Sequence, residues 1–320
     1  MSQIFAARRG IVVKRIFGYS LFLLSLSLPL WLPHYPLHLA CTVGIFVILA
    51  VSLNIVVGFA GQISLGHAAF FAVGAYTSSL LAMKFGIPFW FGIFGAGMVS
   101  FGFGVLLGIP TLRVRDIYLS VVTICFGLMV QLALVNLEAI TGGARGIYGI
   151  PRPSVGGFAL MTPQSYYYVI LFFALLTIFS AVRLLRSRFG RAFLSIRENE
   201  LAAETVGVKT TYYKILAFAI SSFYAGLAGS LYAHYVSYIN PDAFTFGTSV
   251  DVLVMIVIGG LGNVWGSVIG ALVITLLPEY LRFMQQYYRA VFGLGLIFMM
   301  VFMRSGIISV FARVPWAKRA

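Results

Sequence analysis

The sequence predicts an all-α fold, a polytopic transmembrane helix bundle of about ten spans with short or broken helices and both termini in the cytoplasm. Three observations carry this. Of the 320 residues, 61% are hydrophobic and only 9% charged, which leaves too little polar surface to cover an apolar interior of that size in water. Apolar stretches recur along the chain at the length a helix needs to cross hydrocarbon, about 20 residues. The cations are gathered between those stretches and not spread through them.

The first apolar run, Ile16 to Leu32, follows Arg8, Arg9, Lys14 and Arg15 without a small-x-small cleavage site, so it is expected to be a retained helix and not a signal peptide. A lipoprotein reading of Ala40-Cys41 fails, because His38 stands where a leucine is wanted. The further spans are His38 to Val57, Gln62 to Met83, Pro88 to Ile109, Ile117 to Leu137, Tyr166 to Val182, Ile215 to Val236, Val250 to Leu261, Val264 to Leu281 and Tyr288 to Met303. The eighth, Val250 to Leu261, is too short to cross comfortably. Cys41 and Cys125 both lie inside apolar runs, where packing is expected and not a disulfide or metal site.

Lysine and arginine are retained on the cytoplasmic side, which orients the bundle. Ten crossings with the start inside place 17 of the 22 cations there and leave Lys84, Arg145, Arg152, Arg282 and Arg289 outside. If Val250 to Leu261 only dipped in and returned, the basic tail from Arg304 to Arg319 would be stranded outside. A net charge of +14 would point to nucleic acid in a soluble protein. Here the positives flank hydrophobic runs and face anionic lipid, and no nucleic-acid partner is expected. The chain reads as one transmembrane domain, 1–320, in contact with the lipid bilayer. Its longest external stretch, Glu138 to Ser165, is rich in Gly and Pro and is either a docking surface or an ordinary structured loop.

Two places break the hydropathy. Around Gly58-Phe-Ala-Gly61-Gln62-Ile-Ser64-Leu-Gly66-His67 the chain leaves its apolar pattern at a membrane boundary, and Gly259-Gly-Leu-Gly262-Asn263-Val-Trp-Gly266 does so again. Non-helical backbone at that depth must line water or be buried in protein, since lipid cannot satisfy its hydrogen bonds. Gln62, Ser64, His67 and Asn263 are therefore candidate substrate-route residues, with interhelical hydrogen bonding as the plainer reading. Gly58, Gly61, Gly66, Gly259, Gly262, Gly266 and Gly270 are expected to break helices or let them approach closely, as is the Gly104, Gly108 pair. The similar pattern of the two breaks is not an inverted repeat, because the topology runs both in the same direction.

The segment 183–214 holds seven of the cations and Glu198, Glu200 and Glu204, three of the eight acids. Ser195 and Glu198 form a capping-box pattern that predicts a short cytoplasmic helix from Ile196 to Val206, with Gly207 as its stop. No lysine follows a glycine anywhere, so a Gly-Lys-Ser/Thr phosphate loop is absent. Asp116, Glu138, Asp242, Asp251 and Glu279 are read as falling near span ends, leaving no mid-membrane carboxylate for proton coupling. Any energy source must then be another chain, and this one is not expected to be an enzyme.

Several segments resemble the permease subunits of ATP-binding-cassette importers for branched-chain amino acids, the larger of the two permeases in such systems. They are Gly61 to Tyr76, Arg113 to Ser120, Thr141 to Pro151, Phe189 to Glu200 and Met255 to Gly262. The superfamily's ATPase-contacting loop carries Glu-Ala-Ala-x-x-x-Gly, which Ala202-Ala203-Glu204-Thr-Val-Gly207 fits, with Leu201 in place of the first Glu and Glu200 one position earlier. The resemblance implies that Arg197, Glu198, Glu200, Ala202, Ala203, Glu204 and Gly207 couple to the ATPase. It further implies a bacterial inner-membrane heterodimer with a second permease, two ATPase subunits that carry ATP and Mg, and an extracytoplasmic binding protein that delivers the amino-acid substrate. No cofactor is expected on this chain itself. Permeases for urea and short amides look similar over the same motifs, and a channel or ion-gradient carrier is the alternative from another class.

Overall fold

A computed structural model of the chain describes residues 33–280 apart from 112–116, 156–157 and 160–161, with residues 27, 29 and 293 isolated beyond them. The first and tenth expected spans lie almost wholly outside the described residues. Between them come α1 (His34–Asn54), α2 (His67–Phe85), α3 (Phe89–Thr111), α4 (Ile117–Asn136), a single turn α5 (Glu138–Thr141), α6 (Pro163–Arg186), α7 (Arg188–Glu198), α8 (Glu200–Thr205), α9 (Thr210–Val236), α10 (Phe246–Gly259) and α11 (Val264–Tyr280). Six of these segments are long and apolar enough to cross a membrane, and α10 and α11 are shorter apolar helices. The chain is a polytopic helical membrane protein.

Small side chains decide the packing at its centre. The helix α9 lies against α2 and α3 along most of their lengths, because Gly74 meets the backbone of Gly226, Gly229 meets Phe71 and Ala75, and Gly104 meets Ser222. A Cβ at any of these would overlap its neighbour, so the close approach depends on glycine. The predicted packing glycines of the second half behave alike: Gly259 lies on Gly266 and Gly270 on the Met255 carbonyl, which joins α10 to α11. Cys41 is buried and both cysteines are free.

The connections gather at two ends. At one, which we call the strand end, β1 (Ile147–Tyr148) pairs antiparallel with β4 (Tyr238–Ile239), and the rings of Tyr148 and Tyr238 stack 4.2 Å apart. A second short pair, β2 (Ser154–Val155) with β3 (Phe158–Ala159), lies in the same loop, so the expected external stretch has its own structure. At the other, the coupling end, lie α7, α8, the end of α1 and the loop between α10 and α11. This grouping matches the alternation of sides read from the charges.

Two helices start inside the bundle. Ser221, close to the middle of the 27-residue α9, donates to the Ser52 carbonyl, and the Ser52 hydroxyl meets His67 Nε2 at 2.7 Å. His67 opens α2, so this helix begins near mid-depth, about 17 Å along α9 at 1.5 Å per residue. The third span thus starts later than the expected Gln62, because residues 60–66 climb back into the bundle without helical bonds. The Ala68 amide donates to Ser249 Oγ at 2.9 Å, which puts the start of α10 at the same height. From the strand end, residues 240–245 descend to it, with Phe244 packed 5.1 Å from Phe71. Asp251, read from the sequence as near a span end, is corrected by this: two residues beyond Ser249, it stands at mid-depth.

Candidate functional site at the two helix breaks

The end of α1 explains how the breaks meet. After Asn54 the helix widens into one π-turn, Ile55–Phe59, with Ala60 N bonding the Ile55 carbonyl at 3.1 Å. The chain then leaves the helix and orphans its last carbonyls, as every helix end does. Arg197 of α7 donates its guanidinium to one of them, the Gly58 oxygen. A cation at a helix C-terminus is favoured by the dipole as well as by the charge-assisted bond.

The second break closes on the same point. Fully buried Asn54 accepts from the Gly262 amide through Oδ1 at 3.0 Å and donates from Nδ2 to the Asn263 carbonyl, also at 3.0 Å. One side chain thus satisfies a donor and an acceptor of the unwound backbone, which lipid could not do. A Cβ on Gly58 would overlap Asn54 Oδ1 and the Gly262 amide, and one on Gly262, whose φ is +79°, would press on the Arg197 guanidinium. Gly61 packs against the Arg197 stem. Both breaks and the polar segment therefore form a single junction.

Each expected route residue has a definite place. Asn263 caps α11, accepting from Trp265 N at 2.9 Å and Gly266 N at 3.2 Å. Gln62 is half-buried and its side-chain amide donates to the Ala60 carbonyl at 3.3 Å. Ser64 and His67 are buried; His67 bonds Ser52, while Ser64 Oγ has no partner. Leu65 N donates to Thr123 Oγ1 at 3.0 Å, and a Cβ on Gly66 would strike the Thr123 carbonyl, so the climbing segment is laced to α4. Among the described residues no group of three His, Cys, Asp or Glu side chains could hold a metal.

The polar segment corrects the expected single helix from Ile196 to Val206. It is two helices meeting at Asn199, whose extended backbone (φ −160°) breaks the run. Ser195 is no cap: it lies inside α7 and its hydroxyl bonds back to the Ala192 carbonyl at 2.8 Å. The caps are Ser187, accepting from Phe189 N at 3.1 Å, and Asn199, accepting from Ala202 N at 3.0 Å. The reason is amphipathicity: Ala192, Phe193 and Ile196 bury one face of α7, and the helix stops where that face ends. Gly207 does end the segment, with φ +85°.

The three acids are told apart by their partners. Glu200 Oε1 takes the ammonium of buried Lys214 at 2.5 Å, and Glu204 Oε1 accepts from Thr210 Oγ1 at 2.6 Å. Glu198 is exposed and makes no such bond among the described residues. Ala203 is buried, whereas Leu201 and Val206 are 61% and 78% exposed. The sequence reading missed Asn54 and Asn199. The signal for Asn54 was present as a lone amide in the run Val51-Ser-Leu-Asn-Ile-Val-Val57, since a buried polar group among apolar ones needs a partner.

Apolar helices interrupted at membrane depth, tied through one junction to a short amphipathic helix, define a membrane-embedded protein of the permease type. Residues 35–301 match the family described as "Branched-chain amino acid transport system / permease component", and the chain belongs to that family. It is 34% identical over 320 residues to the "High-affinity branched-chain amino acid transport system permease protein LivM" of Salmonella typhimurium, covering 93% of this chain and 75% of that one. The protein of the same name from Escherichia coli strain K12 is equally similar, at 34% with the same coverage. A "Probable branched-chain amino acid transport permease protein LivM" of Methanocaldococcus jannaschii is 27% identical over 265 residues, 72% of this chain and 76% of its own length. No solved structure matches.

Proposed function

We propose that this chain is a permease subunit of an ATP-binding-cassette importer, carrying leucine, isoleucine or valine across the bacterial cytoplasmic membrane. The observation that carries the reading is the 34% identity, over 93% of the chain, to permeases named for branched-chain amino acid transport. ATP is hydrolysed on two partner subunits. A second permease completes the route, and an extracytoplasmic binding protein delivers the substrate. Both termini and the coupling end face the cytoplasm, in ten crossings.

The ATPase docks on α8 and the end of α7. Leu201 and Val206 are large apolar side chains exposed on a water-side segment, the chemistry of a buried interface anchor. Glu198 is the free acid beside them and is proposed as the charged contact, because Glu200 and Glu204 are engaged within the chain. Arg197 then transmits movement of α7 to both breaks through the Gly58 carbonyl.

Reconstituting the chain with its genomic neighbours in proteoliposomes tests this. Uptake of labelled leucine that needs ATP inside and binding protein outside is the expected result. Uptake without nucleotide, driven by an ion gradient, would replace the reading with a secondary carrier. Preference for urea or acetamide over leucine would move the substrate to the amide class.

A further inference from the structure

We infer that Asp251 faces the substrate route at mid-depth and receives the ammonium group of the amino acid as it passes, an inference that rests on the function proposed above. The height follows from a chain of contacts. Ser221 lies near the middle of α9, Ser221 bonds Ser52, Ser52 meets His67, and the next residue, Ala68, bonds Ser249. One helical turn holds Ser249 and Asp251 together. Every other residue from Val252 to Gly259 is apolar or glycine, so the carboxylate is the one ionisable group on this short helix.

Asp251 is exposed on the surface of the chain and makes no ion pair or hydrogen bond among the described residues. A carboxylate cannot be left against lipid at that depth without a large cost, so this face must meet water or a cation. Ser249, two residues away and so on the opposite face of α10, packs with Leu65, Ala68, Leu128 and Phe246, which leaves Asp251 turned away from the climbing break and α4. A single negative charge on an otherwise uncharged, largely apolar helix suits a small solute that carries an ammonium and an aliphatic side chain. Because Asp251 offers a single contact and no cage, it would retain the solute only briefly, as a conducting route requires.

The test uses the full complex in proteoliposomes with Cys41 and Cys125 replaced by alanine. Gly247 is exposed and a Cβ there meets only Thr245 Oγ1, at 3.4 Å, so Gly247→Cys is tolerated. It lies four residues from Asp251, on the same face. A cationic thiosulfonate should modify this cysteine faster than an anionic one, by roughly five-fold or more, and Asp251→Asn should collapse that preference. In the same vesicles Asp251→Asn should lower leucine uptake about ten-fold or more, with Asp251→Glu restoring much of it.

Three outcomes would overturn the inference: no reaction at Gly247→Cys in any nucleotide state, a reagent preference indifferent to Asp251→Asn, or undiminished uptake by Asp251→Asn. Loss of co-purification with the second permease in Asp251→Asn, the chain itself still inserted, would assign the carboxylate to a subunit contact and overturn it as well. Failure of the unsubstituted complex to carry leucine would instead reject the proposed function, so the two failures are read separately.

Discussion

The two ends of the bundle are fastened by different means. At the strand end, the joint is largely backbone: β1 pairs with β4, and Gly149 and Ile150 both donate to the Ser237 carbonyl. One side-chain relay reinforces it, Ser230 to Ser78 to His234, whose Nδ1 meets the Pro151 carbonyl at 2.6 Å. At the coupling end no strand pairing holds the breaks together among the described residues, and Asn54 and Arg197 do so with their side chains. A paired backbone resists movement along its length, whereas a guanidinium on a carbonyl can leave and return. The comparison separates an end joined by paired backbone from an end held by two side chains.

The sharpest way to break the contrast is Asn54→Leu. It strands the Gly262 amide and the Asn263 carbonyl in a half-buried place, at up to about 1–3 kcal/mol for each group. The purified complex should melt at a markedly lower temperature and its uptake should be lost; an unchanged melting curve would mean the junction is not what holds the breaks.

Arg197→Gln is expected next in size. The complex should assemble and hydrolyse ATP, yet move about ten-fold less substrate per ATP, with Arg197→Lys partly restoring the ratio. Proportional loss of both activities would show a role in assembly and not in transmission.

A smaller effect distinguishes the acids. Glu200→Gln leaves the Lys214 ammonium, 5% exposed, without its counter-charge and should cost about 1–3 kcal/mol in thermal stability. Glu198→Gln should leave stability within about 0.5 kcal/mol and weaken ATPase binding in a pull-down. The reverse pattern would exchange their roles.

At the strand end the smallest change is expected. Ser230→Ala removes one relay bond, that to Ser78, and should cost about 1 kcal/mol, leaving transport per ATP unaltered, because the paired backbone still carries the joint. A fall in that ratio would show that the strand end also moves.

Much of this was legible in the residues. Apolar runs gave the second to ninth spans to within about five residues, because a helix in lipid must satisfy its backbone internally and the run length follows. Glycine spacing foretold close packing at Gly259, Gly266 and Gly270. The polar segment between two apolar helices is helical as expected, yet its helix was misplaced: a Ser-x-x-Glu pattern is local, and the buried face of Phe193 and Ile196 overrode it. The sequence order also could not tell that Glu200 is engaged by Lys214, fourteen positions away.

What the sequence by itself determined is the membrane character, the order of the described apolar helices and the position of both breaks, since each depends on composition over a short stretch. Only the tertiary structure decided that the breaks meet at one amide and one arginine, and that Asp251 stands at mid-depth. Those facts depend on how far residues 60–66 and 240–245 climb into the bundle. That depth is set by contacts such as Ala68 to Ser249, across 181 positions of the chain, which no local pattern encodes.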